Sequence, residues 1–302
     1  MSSSWPWHFV AISDSEKQHR RELLSLRGNY AQLSILLAIV LSRVYIALLP
    51  LDQQHQRPNR RSRQNAWLDA PLFSGWVETR RQYSVCLLWL TWLLCLSVWR
   101  TGDDYLHFTK ALGHVGLSQL PLQVAMSPAF YVLSTPRASS LLSVLTAVPQ
   151  PTVTAYHRLF ARVVISPLLI GHAILYVAFF LQSSHPGFSS LFFKRILDLD
   201  VQLGIVAITA AVAITVLARP QGKAGGIWQG TVISRRRAFY AVHLLLVVLL
   251  CLAAYFHVAH AKAFILESLV VFVVNLGCCY STARQKSKPR LRKRHHGVFI
   301  ER

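Results

Sequence analysis

Several signatures of soluble chemistry are missing from this 302-residue chain. It has no GxxxxGK[ST] phosphate loop and no dinucleotide-binding glycine fingerprint. None of its five cysteines (Cys86, Cys95, Cys251, Cys278 and Cys279) shows the CxxC spacing of a metal-ligand set. Acidic residues are scarce, with 12 Asp and Glu against 32 Lys and Arg and a net charge of +20. The period-two alternation of a membrane β-barrel is absent too, so that class is excluded. The charged N-terminal stretch is long and no small-residue cleavage site follows an apolar run, so a cleavable signal peptide is not expected.

What the chain does have is apolar length. Hydrophobic residues make up 53% of it, the mean hydropathy is +0.37, and the apolar residues come in blocks. Seven windows approach the roughly 20 residues that a bilayer core requires: 31–49, 83–99, 108–133, 157–181, 201–217, 239–260 and 263–280. Each is apolar on every face, which predicts an all-α, polytopic membrane helical bundle of about seven transmembrane helices. Three divisions are expected. Residues 1–81 form an N-terminal segment with one span and a basic cytosolic loop, 82–281 a six-helix membrane domain, and 282–302 a basic tail.

The basic residues explain the charge without a nucleic-acid partner. Twenty of the 32 fall in the loops between spans 1 and 2, 3 and 4, and 5 and 6, and in the C-terminal tail. By the positive-inside rule these segments face the cytosol, so the C-terminus is expected inside and, with seven spans, the N-terminus outside. The tail from Lys286 to Arg294 reads as a juxtamembrane segment lying against anionic lipid. The third block is interrupted by Gln119, Pro121, Gln123, Ser127 and Pro128. Such a segment survives in a membrane only where neighbouring helices satisfy its backbone, so it should face the bundle interior.

Histidine in hydrocarbon is costly and marks function or an internal hydrogen bond. Two spans each carry a pair: His157 with His172, and His243 with His257. Fourteen residues of helix rise about 21 Å and turn to within about 40° of four full turns, so His243 and His257 share one face near opposite leaflets. Both spans start on the same side, which matches His157 with His243 and His172 with His257. Neutral imidazole is an axial ligand for haem iron, so two such helices can clamp one b-type haem near each leaflet. Arg158, Arg162 and Arg235 to Arg237 stand at the inner edge, where propionates need basic partners; snorkelling to the interface is the competing reading for these side chains. His260 is a substitute ligand candidate and His114 a packed, hydrogen-bonded one. For Glu267, the acid well inside a span, a bond to Lys262 or a neighbouring helix is expected.

These residues resemble the ferric reductase and NADPH oxidase transmembrane family, over roughly residues 83–280. Tyr156-His157-Arg158-Leu159-Phe160-Ala161-Arg162, then Gly171-His172-Ala173 and Tyr176, is similar to the family's H-R-x-x-(G/S)-R helix with its distal histidine. Arg237-Ala238-Phe239-Tyr240-Ala241-Val242-His243 followed by His257 is similar to its second ligand helix, and Leu112 to Leu122 to the span before them. The resemblance implies two haems b on four histidines and electrons passing outward to a ferric chelate or oxygen. FAD and NADPH would act only through a partner chain, a cytosolic flavoprotein, and the lipid bilayer is that of the plasma membrane or endoplasmic reticulum. The family separates both pairs by 14 residues, whereas His157 and His172 are 15 apart. A kink or π-bulge near Pro167 is expected to absorb the extra residue. The alternative reading is a non-catalytic scaffold or transporter-like protein, or a relic of a reductase without electron input.

Overall fold

The computed structural model describes residues 13–48, 66–73, 78–128, 138–183, 187, 189–217, 232–287, 291–294 and 297–300. Its helices are α1 (Asp14–Leu48), α2 (Ala66–Asp69), α3 (Arg80–Val98), α4 (Tyr105–Leu117), α5 (Leu120–Ala125), α6 (Leu141–Thr146) and α7 (Gln150–Phe160). A π-helical segment, Ala161–Ile165, joins α7 to α8 (Ser166–Gln182). Then follow α9 (Leu191–Arg195), α10 (Leu199–Leu217), α11 (Val232–His257), a 3-10 turn at Ala259–Ala261 and α12 (Lys262–Ser287). A four-residue antiparallel hairpin, β1 (Leu291–Arg294) with β2 (Gly297–Ile300), holds the strands found among the described residues.

Among the described residues, six helical stretches are long and apolar enough to cross a bilayer: α1, α3, α7 through α8, α10, the Arg237–His257 part of α11, and Ala259–Gln285. The third apolar block is not one continuous helix. It breaks at Ser118 and Gln119 into α4 and α5, because Pro121 takes the start of α5, a position that needs no backbone donor. As expected, this broken element faces the interior, and nearly every residue of α4 is buried. Gln119, fully buried, accepts from Trp89 Nε1 at 3.0 Å and donates to Ser118 Oγ at 3.0 Å, which satisfies its amide where the helix breaks.

Burial runs opposite to that of a soluble protein. Leu245, Leu252, Phe256, Leu266, Val270 and Val273 are more than half exposed, while Arg27, Gln119 and Asn275 are completely buried. Large apolar faces of this kind fit a lipid environment, and several of the polar groups inside are hydrogen-bonded across helices. Asn275 of α12 donates to Ser127 O (3.0 Å) and accepts from Leu141 N (2.7 Å), tying α12 to the chain on both sides of residues 129–137. The protein is an integral, multi-pass membrane protein.

Local sequence sets the helix ends. Thr79 and Gln82 form a capping box at the start of α3. At its other end Arg27 of α1 donates through Nε (3.0 Å) and Nη2 to Trp99 O, covering a carbonyl that the helix cannot satisfy. Asp104 caps α4 through Leu106 N (2.9 Å) and pairs with Arg20 of α1. Lower down, Gln32 of α1 donates to Glu267 of α12, the neighbouring-helix bond expected for that acid. α1 is therefore fastened to α3, α4 and α12. α8 packs mainly on α4, and α11 mainly on α10, so the two histidine-bearing helices sit on different supports and face each other through their rings.

Candidate functional site

The structure brings the four sequence-predicted histidines together in the expected two pairs. The rings of His157 and His243 have centres 6.5 Å apart at an interplanar angle of 70°. Those of His172 and His257 are also 6.5 Å apart, at 64°. Among the described residues no cluster of three or more His, Cys, Asp or Glu could hold a metal ion, so the histidines stand as pairs.

The π segment Ala161–Ile165 makes the first helix compatible with this pairing. Ser166 N–H and Ser166 Oγ (2.8 Å) both bond to Ala161 O, five residues back. A bond to i−5 takes up one residue more than the α-helical bond to i−4, so 15 residues turn through about what 14 would. Pro167, at the start of α8, has no N–H to donate and favours this break in the α pattern. His172 rather than Gly171 then faces the partner helix.

Each ring is held at its rear. His157 Nδ1 lies 3.0 Å from Gln123 O, and the Gln123 amide donates to His157 O at 2.8 Å. His172 Nδ1 lies 2.7 Å from Thr109 O, and His257 Nδ1 bonds to Asp200 O. A carbonyl oxygen only accepts, so Nδ1 of His172 and His257 is the donor and Nε2 keeps its lone pair; His157 Nδ1 faces both the Gln123 carbonyl and, at 3.1 Å, the Gln123 side-chain amide. The fourth ring, His243, stacks on Phe239 one turn earlier, with centres 5.5 Å apart. Its Nδ1 is buried and has no hydrogen-bond partner among the described residues.

Two glycines admit the rings of His172 and His257. A Cβ at Gly113 would stand 3.0 Å from His172 Cγ, and one at Gly204 would stand 2.7 Å from His257 Cε1. The sequence reading missed the positioning roles of Gly113, Gly204, Gln123, Thr109 and Asp200. For the glycines the available signal was a small residue in an apolar span, where close approach is the usual reason. For Thr109 and Asp200 there was none, because the contacting atom is a backbone carbonyl that any residue supplies.

The remaining expected residues fall outside the pairs. Arg162 Nη2 makes a 2.6 Å ion pair with Glu78, just before α3, and its Nε donates to Arg158 O at 3.2 Å. Arg158 Nε is buried with no partner among the described residues. His114 is buried edge-on against Phe264, with centres 4.8 Å apart, and is not brought to either pair. His260 lies in the 3-10 turn, beside a polar stripe of α1 that includes Arg21 and Asn29. The loop 218–231, the side chains of Arg235 and Arg236, and most of the basic 52–81 loop lie outside the described residues. So do the side chains of the tail from 286 onward.

Residues 112–254 match the family described as ferric reductase like transmembrane component. No curated protein and no solved structure matches the chain. The matched stretch takes in α5, the π-interrupted helix with His157 and His172, and α11 through His243, and it stops three residues before His257. Family match, membrane helices and histidine placement are all consistent with a ferric reductase-like transmembrane domain over residues 112–254.

Proposed function

We propose that this protein is the membrane electron-transfer component of a ferric-chelate reductase or NADPH oxidase-like system, with two b-type haems held by His157/His243 and His172/His257. The observation that supports this reading is the equal separation of the two ring pairs. A metal held from both sides by imidazole nitrogens at about 2.0–2.1 Å, with roughly 1.1 Å more to each ring centre, needs ring centres about 6.3 Å apart. Both pairs are at 6.5 Å. The donor chemistry fits as well, since Nδ1 of His172 and His257 is committed to a carbonyl and Nε2 is left as the ligand atom.

When bound, haem supplies one-electron iron chemistry with potentials set by its ligands and surroundings. The chain's own part is to hold four imidazoles at fixed rotation, to surround them with apolar helix and to exclude water. Arg158, with its buried and unpartnered Nε, is the better propionate partner of the two inner arginines, because Arg162 is neutralised by Glu78. The bias of basic residues supports a cytosolic C-terminus. A separate flavoprotein carrying FAD and oxidising NADPH would deliver electrons there, and a ferric chelate or oxygen would receive them on the far side.

The test is a dithionite-reduced minus oxidised absorbance spectrum of the detergent-purified protein, with haem quantified per polypeptide. Two b-type haems per chain are the expected result. A haem-free protein that is folded and membrane-inserted would overturn the reading and leave a scaffold without electron transfer.

A further inference from the structure

Among the described residues, the outer histidine pair is backed by an ionic network that the inner pair does not have. Arg195, at the end of the short helix α9, stands at its centre. Its Nε donates to Tyr176 Oη at 3.1 Å, its Nη2 pairs with Asp200 Oδ2 at 3.0 Å, and its Nη1 pairs with Asp198. Tyr176 lies one turn beyond His172 on α8, with ring centres 6.2 Å apart, and packs on Phe180 at 4.4 Å. Asp200 reaches the other outer ring through its backbone, because its carbonyl accepts from His257 Nδ1. One guanidinium is thus a single residue away from each member of the pair. It meets His172 through the Tyr176 ring, and it meets His257 through the residue whose side chain it grips.

The fork of an arginine suits this task. It has several donors in one rigid plane and stays charged, so it can hold a phenol and a carboxylate at once, which a lysine ammonium does less well. At the inner pair the corresponding support is Gln123, a neutral amide. The nearest inner arginine with an ion partner, Arg162, is bonded to Glu78 and to the Arg158 carbonyl and, among the described residues, makes no hydrogen bond to a histidine ring.

We infer that Arg195 is a positioning residue for the outer site: it fixes Tyr176 and Asp200 behind His172 and His257, and its positive charge makes the outer redox centre easier to reduce than Asp198 and Asp200 alone would leave it. The physical reason for the sign is that reduction lowers the positive charge on iron, so a nearby cation favours the reduced form. Arg195 is one-third exposed, so solvent screens part of the effect. This inference rests on the two-haem reading.

The test is spectroelectrochemical titration of the purified full chain, which separates the midpoints of the two haems, together with low-spin electron paramagnetic resonance of each. In Arg195→Gln both haems should be retained, the outer midpoint should fall by about tenfold in its redox equilibrium, about 59 mV for one electron, and the inner midpoint should stay. Arg195→Lys should recover most of that shift. Neither midpoint moving, or both moving together, would overturn the inference. If Arg195→Gln does not accumulate, Tyr176→Phe removes only the Oη that Arg195 holds. An altered outer resonance would then support the role and an unchanged one would overturn it. Wild-type protein without haem would sink the functional reading itself, a different result from haem-loaded variants with unmoved potentials.

Discussion

The inner and outer histidine pairs have the same ring separation, 6.5 Å, but are secured by different means. At the inner pair the His157 ring is held by the backbone carbonyl of Gln123, whose side-chain amide also donates to His157 O, and the partner ring of His243 rests on Phe239. At the outer pair both rings are held by backbone carbonyls, Thr109 O and Asp200 O, and two glycines let the rings come close to α4 and α10. An equal gap reached by two unlike supports indicates that the gap itself is the constrained quantity. The supports also predict different vulnerabilities: the inner pair can be weakened by changing one amide, whereas the outer pair is sensitive to added volume.

The strongest way to break the comparison is to remove one ligand from each pair. His172→Ala should lower haem from two to one per chain and leave the inner spectrum intact. His157→Ala should do the reverse, and either variant losing both haems would show that the pairs are not independent. Next in size is Gly204→Val. Its Cβ falls where the His257 ring now stands, and the added methyls leave no room for a small adjustment. Haem content should drop by about one per chain, with the loss confined to the outer site, as judged by the same spectrum.

A milder perturbation sharpens the difference. Gln123→Leu removes the amide that donates to His157 O but keeps the backbone carbonyl that holds the ring, so inner haem affinity should fall by less than the cost of losing a ligand's own supporting hydrogen bond, about 10–100-fold. Haem retention on dilution or during chromatography should fall for the inner site alone. The smallest effect is expected from Glu78→Gln. It leaves Arg162, which is 19% exposed, without its carboxylate and should cost about 1–3 kcal/mol in detergent unfolding. Haem stoichiometry should be unchanged, and a loss of inner haem would instead place Arg162 at the cofactor.

Much of this was legible from the chain. The apolar blocks foretold helices, and the polar interruptions of block three foretold an interior position that α4 and α5 occupy. The histidine spacing foretold which ring faces which. Legibility ended where contacts are made by atoms common to all residues. Thr109 and Asp200 act on the rings through backbone carbonyls, and nothing in a residue's identity reports where its carbonyl points. Arg162 was legible as a cation at the membrane edge, but its partner Glu78 lies 84 residues away, a pairing that only packing creates.

The sequence by itself determined the class of molecule. Runs of about 20 apolar residues have one low-energy solution in lipid, and histidines at four-turn spacing share a face by helix geometry alone. The tertiary structure decided whether the odd 15-residue spacing could still work. A π turn is a local choice between two backbone bonding patterns of similar cost. It is set here by Pro167, by the Ser166 hydroxyl on Ala161 O and on Thr215, and by the gain from placing His172 opposite His257. Periodicity counts residues, whereas the register of a helix depends on which carbonyl each N–H reaches. That selection is made only when the neighbouring helices are in place.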